Sequence, residues 1–245
     1  MAQITKLEHS EAVLSAGAYT LRETAVLLRA TTPPPGVSLR QWKLRHGEFI
    51  EATTHHLSQW IRRGMEWEDP LRVSSRDRVI TFADLVRLRM IALFRSRNIA
   101  YKAILAAEDY IRHLRGIPQP FITEEMWTAR SEVFVQFTGE LIAASQYGQL
   151  AFRDLMSEFL APAHHGLLFT SGGKPARWNP SPAVVIDPEI QFGASCIDGT
   201  RVETRSLWSL NQAGDSEECL AEAFNLQKAQ VEDAIEWERL LSNAA

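Results

Sequence analysis

Apolar residues recur at helical spacing in several stretches of this chain. Leu21, Ala25 and Leu28 fall at i, i+4 and i+7, which predicts a helix over 21–30. Thr20-Leu21-Arg22-Glu23 supplies a capping box at its start, and the three prolines of 33–35 end it. Leu57, Trp60 and Ile61 share one face of a second helix, 54–64, closed by Gly64. His55, Gln59 and Arg62 point the opposite way, with Arg63 beside them. Between the two helices, residues 31–53 read as an insertion holding Trp42, Phe49 and Ile50. Thr81-Phe82-Ala83-Asp84 opens a further helix through Leu85, Leu88 and Ile91 to about Arg97, with Arg87, Arg95 and Arg97 riding on it. Another helix spans about 101–115, stopped by Gly116 and Pro118.

The pattern then changes. Residues 132–137 alternate with period two and predict a strand, followed by a short helix over 151–160. Leu167 to Trp178 reads as a hairpin turning at Gly172-Gly173, and Pro180 and Pro182 mark a boundary. Strands at 183–186 and 196–201 precede three helices, about 203–213, 216–224 and 227–241, with Ser216 capping the second. The predicted class is mainly α with small β elements (α+β). Its expected parts are an N-terminal winged helix-turn-helix over 1–118, a β-rich connecting region over 119–180 and a C-terminal three-helix domain over 181–245.

Composition narrows this. Of 245 residues, 45% are hydrophobic and 23% charged, enough apolar material for a core and against disorder as the overall state. No apolar run reaches the roughly 18–20 residues that span a bilayer. The segment Met1–Ser10 is too polar for a signal peptide, so a cytoplasmic protein is expected. The net charge of −4 hides a split: residues 1–120 carry 18 Lys+Arg against 12 Asp+Glu, and residues 121–245 carry 8 against 18. A basic front half points to nucleic acid, an acidic back half to a different partner.

Chemistry-bearing motifs are sparse. The doublets His55-His56 and His164-His165 place rings about 100° apart on a helix, a poor arrangement for one metal ion. Cys196 falls in a predicted strand with no His or Asp partner at a diagnostic spacing. Ser171-Gly172-Gly173-Lys174-Pro175 lacks the first glycine and the hydroxyl residue of a phosphate loop. Neither catalysis, metal nor cofactor is expected. In the basic half, by contrast, helix 54–64 could present His55, Gln59, Arg62 and Arg63 to a major groove, while Arg76 and Arg78 on a basic hairpin over 70–80 neutralise phosphates. The last helix carries Glu232, Asp233, Glu236 and Glu238, which would repel DNA and favours a protein partner or self-association.

Two regions resemble known families. Residues 19–115, from Tyr19-Thr20-Leu21-Arg22-Glu23 through Leu57-Ser58-Gln59-Trp60 to Ile80-Thr81-Phe82-Ala83-Asp84, resemble the winged-helix DNA-binding domain of MerR-type regulators. By position, that resemblance assigns the reading helix to His55, Gln59, Arg62 and Arg63 and the wing to Arg76 and Arg78. Residues 183–241 resemble a small bacterial domain family read as VapB-type antitoxins, through Val185-Ile186-Asp187-Pro188, Gly193 and Cys196-Ile197-Asp198-Gly199-Thr200-Arg201. Gly199 permits a tight turn, and Arg201 is expected to form a structural or interfacial ion pair. The resemblance implies an antitoxin that binds its own promoter as a homodimer and neutralises a PIN-like ribonuclease toxin. The alternative is a stand-alone MerR-like regulator.

Overall fold

The computed structural model describes residues 17–30, 52–64, 79–95, 99–128 and 166–245. The strand expected at 132–137, the helix at 151–160, residues 31–51 of the insertion expected over 31–53, and His164-His165 lie outside the described residues. So does the basic hairpin up to residue 78, with Arg76 and Arg78.

Helices dominate the first part: α1 (Leu21–Arg29), α2 (Thr54–Gly64), α3 (Phe82–Arg95), α4 (Tyr101–Arg115) and the short α5 (Glu124–Thr128). The Thr20 hydroxyl accepts the Glu23 amide at 3.1 Å while the Glu23 carboxylate accepts the Thr20 amide at 2.7 Å, so the capping box of α1 is complete. Thr81 and Asp84 repeat the arrangement at the start of α3. Four antiparallel strands follow in sequence order: β1 (Leu167–Phe169), β2 (Pro175–Ser181), β3 (Val184–Ile186) and β4 (Ser195–Ile197). The chain ends in α6 (Thr204–Ala213), α7 (Glu217–Phe224) and α8 (Lys228–Ala244). The Ser216 hydroxyl caps α7 by accepting the Cys219 amide. This is a mixed α and β chain with a small antiparallel sheet.

The last strand is shorter than the expected 196–201. β4 stops at Ile197 because the Thr200 amide and hydroxyl both donate back to the Ile197 carbonyl, at 3.0 and 2.9 Å, around Gly199 at φ +77°. The expected boundary at 180–181 falls at the end of β2, two residues before its antiparallel partner β3, so the sheet carries the chain across it.

Two apolar cores share a wall. The larger gathers α1 to α5 with Leu167, Trp178, Val184, Ile186 and Trp237. The smaller collects Ile197, Leu207, Leu220, Val231, Ala234 and Ile235. Helix α8 serves both, turning Trp237 to one and Val231 and Ile235 to the other. Its far end is tied to α1, where the Arg29 guanidinium donates to the Ala244 carbonyl at 2.8 Å and to the Ala52 carbonyl at 3.0 Å.

Helix α3 differs from the sequence reading. Arg87, expected on its surface, is 2% exposed and pairs with Glu108 of α4 at 2.7 Å. Ten of its fourteen residues are buried, so α3 has almost no outward face to offer. A buried pair owes its stability to both members, since loss of one strands the other charge. Glu108→Ala should therefore cost about 3–5 kcal/mol in urea unfolding, and Arg87→Met with Glu108→Leu should recover most of it.

Candidate nucleic-acid interface

Helix α2 has the expected bounds, Thr54–Gly64, and the Thr53 hydroxyl before it accepts the His56 amide at 3.2 Å. Leu57, Trp60 and Ile61 are buried, and they seat the helix against α1 and the larger core. Trp60 stacks on Tyr101 of α4, 6.1 Å between ring centroids, and the Tyr101 hydroxyl donates to the Trp60 carbonyl at 2.5 Å. His56 also stacks on Trp60, at 6.3 Å. This His56–Trp60–Tyr101 row holds the helix axis in place.

What is left facing outward is polar. His55 and Arg62 are exposed and Gln59 is half-buried. Gln59 Nε2 lies 2.7 Å from His55 Nε2, and Arg62 Nε donates to the Ser58 carbonyl at 3.2 Å. The face therefore offers an imidazole, an amide and a guanidinium one helical turn apart, which suits adenine and guanine edges and phosphate. Arg63 belongs to α2, but its side chain lies outside the described residues, as do Arg76 and Arg78. Behind the helix, Tyr19 and Ile80 exchange both backbone hydrogen bonds, 2.9 and 2.8 Å, and so join the chain entering α1 to the chain entering α3.

The C-terminal motif residues build a scaffold. Asp187 Oδ1 accepts the Glu189 amide at 2.8 Å, and the Gly193 amide donates to the Ile190 carbonyl at 2.9 Å. Gln191, Phe192 and Gly193 are consecutive left-handed residues, at φ 47°, 56° and 87°. A Cβ on Gly193 would stand 2.1 Å from the Tyr19 hydroxyl, and one on Gly17 would stand 3.4 Å from the Pro188 Cβ. The motif thus receives Tyr19 from the N-terminal part, with the Ala18 amide donating to the Phe192 carbonyl at 2.9 Å. In the sequence Tyr19 figures only as the start of the MerR-type resemblance, and nothing there marks its partner at Gly193. Thr200 and Gly199 form the turn after β4. Arg201 is exposed and forms no salt bridge with the described residues, so the expected structural ion pair is absent there.

The acids of α8 do not form one solvated face. Asp233 accepts the Ser181 hydroxyl at 2.7 Å and the Ala183 amide at 2.6 Å, pinning the β2–β3 turn. Glu232 pairs with Lys228 at 3.5 Å, and Glu236 pairs with Arg239. Glu238 is 8% exposed and bonded to the Thr204 hydroxyl, and burial pushes its carboxyl above the usual carboxylate range. Cys196 is fully buried, and burial pushes its thiol up to about 11, a poor nucleophile at neutral pH. Among the described residues, no group of His, Cys, Asp or Glu could hold a metal ion, and no helix is long and apolar enough to cross a membrane.

This fold is shared with a crystal structure titled Rv2018 from Mycobacterium tuberculosis, at 15% identity and a TM-score of 0.57, covering 84% of this chain and 99% of that one. At that identity the likeness concerns architecture alone. In sequence, residues 184–237 match a family described as "Protein of unknown function (DUF433)". That finding overturns the VapB-type assignment, since the stretch that suggested it, with Asp187, Gly193 and Gly199, lies within the residues matched to this other family. Comparison with curated proteins gives no match.

Two outcomes follow from this geometry. Gly193→Ala should destabilise by about 1–3 kcal/mol from backbone strain alone. Tyr19→Phe, which removes a buried hydroxyl with no hydrogen-bond partner, should be neutral or stabilising by about 1 kcal/mol in urea unfolding. For Glu238 the folded-state pKa lies above the unfolded one, so the charged form is penalised on folding. Stability should rise as pH falls through the folded-state pKa and level off below the unfolded one. Urea midpoints between pH 7 and pH 4 should lose that component in Glu238→Gln.

Proposed function

We propose that this chain is a DNA-binding autoregulator of the antitoxin type. Helix α2 reads the promoter of its own operon, and the C-terminal part holds a toxin encoded beside it. The observation that carries the DNA-binding half is the two-sidedness of α2. Leu57, Trp60 and Ile61 are buried and anchor it rigidly, while His55, Gln59 and Arg62 stand together on the other face. A helix held this way keeps its polar side chains in register with base edges, as a helix-turn-helix reader must. On this reading Arg76 and Arg78, which lie outside the described residues, would meet phosphates.

The partner-binding half rests on the exposed surface of the C-terminal part. Phe192 is 53% exposed although its backbone is held left-handed, and Leu210 is 37% exposed. A left-handed backbone kept at an exposed aromatic is the outlier that motivates a contact site here. The rival reading, a regulator acting without a toxin, keeps the first half and drops the second.

Gel shifts with the DNA upstream of the gene test the first half. Arg62→Ala should weaken binding on all sequences and lower the salt slope by about 1, while Gln59→Ala should cost about 1–3 kcal/mol on the preferred site and little on scrambled DNA. Unchanged shifts in both variants would remove α2 from the interface. Co-expression with the neighbouring gene product tests the second half: a stable complex that suppresses that product's toxicity is expected, and a chain that purifies alone would leave the regulator reading.

A further inference from the structure

Of the two adjacent histidines on α2, one faces in and the other out. His56 is half-buried: its ring stacks on Trp60, and its Nδ1 lies 3.1 Å from the Thr53 hydroxyl. His55 is exposed, and its Nε2 lies 2.7 Å from Gln59 Nε2, one turn further on. An amide nitrogen carries two hydrogens and no lone pair that can accept, so Gln59 donates here and His55 Nε2 accepts. His55 is therefore the neutral tautomer with its proton on Nδ1. The contact also settles which way the Gln59 amide is turned, because exchanging Oε1 for Nε2 would set two acceptors face to face. Nε2 is held on the His55 side and Oε1 on the far side, leaving one Nε2 hydrogen and the carbonyl oxygen to face outward. The helix beneath is fixed: Leu57, Trp60 and Ile61 are buried, and the Tyr101 hydroxyl donates to the Trp60 carbonyl. Arg62, three residues on, is drawn back along the helix, its Nε bonded to the Ser58 carbonyl.

Resting on the reading of α2 as a DNA-contacting helix, we propose that His55 is a positioning residue. By accepting from Gln59 it fixes that amide in the donor–acceptor order that matches the major-groove edge of one adenine. Adenine offers an acceptor there, N7, beside a donor, the N6 amino group, and a glutamine meets both at once through Nε2 and Oε1. Guanine offers two acceptors, so Oε1 in the same place would meet O6 lone pair to lone pair. An unheld glutamine can turn its amide over and present the reverse order at the same spot. His55 removes that freedom before DNA arrives, so less side-chain entropy is lost on binding. It makes no base contact itself. A side chain at position 55 that can only donate turns the amide over, and one that can accept keeps it.

Fluorescence anisotropy of the full chain with duplexes tiled over the DNA upstream of the gene tests this. In the tightest duplex, each adenine is replaced in turn by guanine, with its partner base changed to match, and by 7-deazaadenine, which lacks only the N7 acceptor. At one position either replacement should weaken the wild-type protein by roughly tenfold or more and leave Gln59→Ala unaffected. There His55→Gln, whose side-chain oxygen can accept, should keep the adenine preference. His55→Lys, which can only donate, should abolish it while binding the other duplexes at least as tightly through its added charge. Matching urea midpoints for the two variants separate this outcome from a loss of folding. Sequence-specific binding in which no adenine depends on Gln59, or an adenine preference that both His55 variants keep, would overturn the proposal and leave the reading of α2 standing. No binding to any duplex would overturn both.

Discussion

The indole of Trp178, on β2, is where the parts of this chain meet. Trp237 of α8 packs edge-on against it at 6.1 Å, and the Arg89 guanidinium of α3 lies 4.2 Å over its ring. The same guanidinium reaches the Trp127 ring of α5 at 5.7 Å. One arginine and three indoles therefore join the helical front part, the sheet and the last helix. Burial lowers Arg89 only to about 9, so it stays charged at neutral pH and its cation–π contacts persist. Its Nη1 and the Trp178 Nε1 both lack hydrogen-bond partners, so stacking and packing rather than hydrogen bonds hold the junction.

From that junction the functional surfaces take their positions. With α3 fixed against the sheet, α1 and α2 lean on it through the larger core, and α2 is left with one polar face toward solvent. With α8 fixed by Trp237, whose indole also donates to the Ser195 hydroxyl at 3.0 Å, Glu238 comes to rest beneath α6. Tyr19 completes the frame, bonding to Ile80 on one side and pressing on Gly193 on the other. Helix α2 and the cleft between α1, α6 and α8 are thus two surfaces of one packed body, backed respectively by the inner face and the N-terminal end of α1.

Much of the local structure was legible. Capping boxes at Thr20 and Thr81, the Ser216 cap and the glycine turns depend on residues three or four positions apart, so the signal and the element occupy the same stretch of chain. The two faces of α2 could be read for the same reason. Helix α3 also carried a signal that went unused: its apolar residues surround it almost completely, which marks a central helix and therefore buried arginines. Nothing local marks Asp233 as the pin of the β2–β3 turn, since its partners lie about fifty residues away.

By itself the sequence determined the helices, their caps, the turns and the polar face of α2, because those follow from backbone geometry and periodicity over a few residues. Tertiary structure alone decided which charges are internal. Glu232 and Glu238 look alike in the sequence, yet one is solvated beside Lys228 and the other is buried under Thr204. The cost of taking a charge out of water depends on what surrounds it in three dimensions, and those surroundings come from segments far apart along the chain.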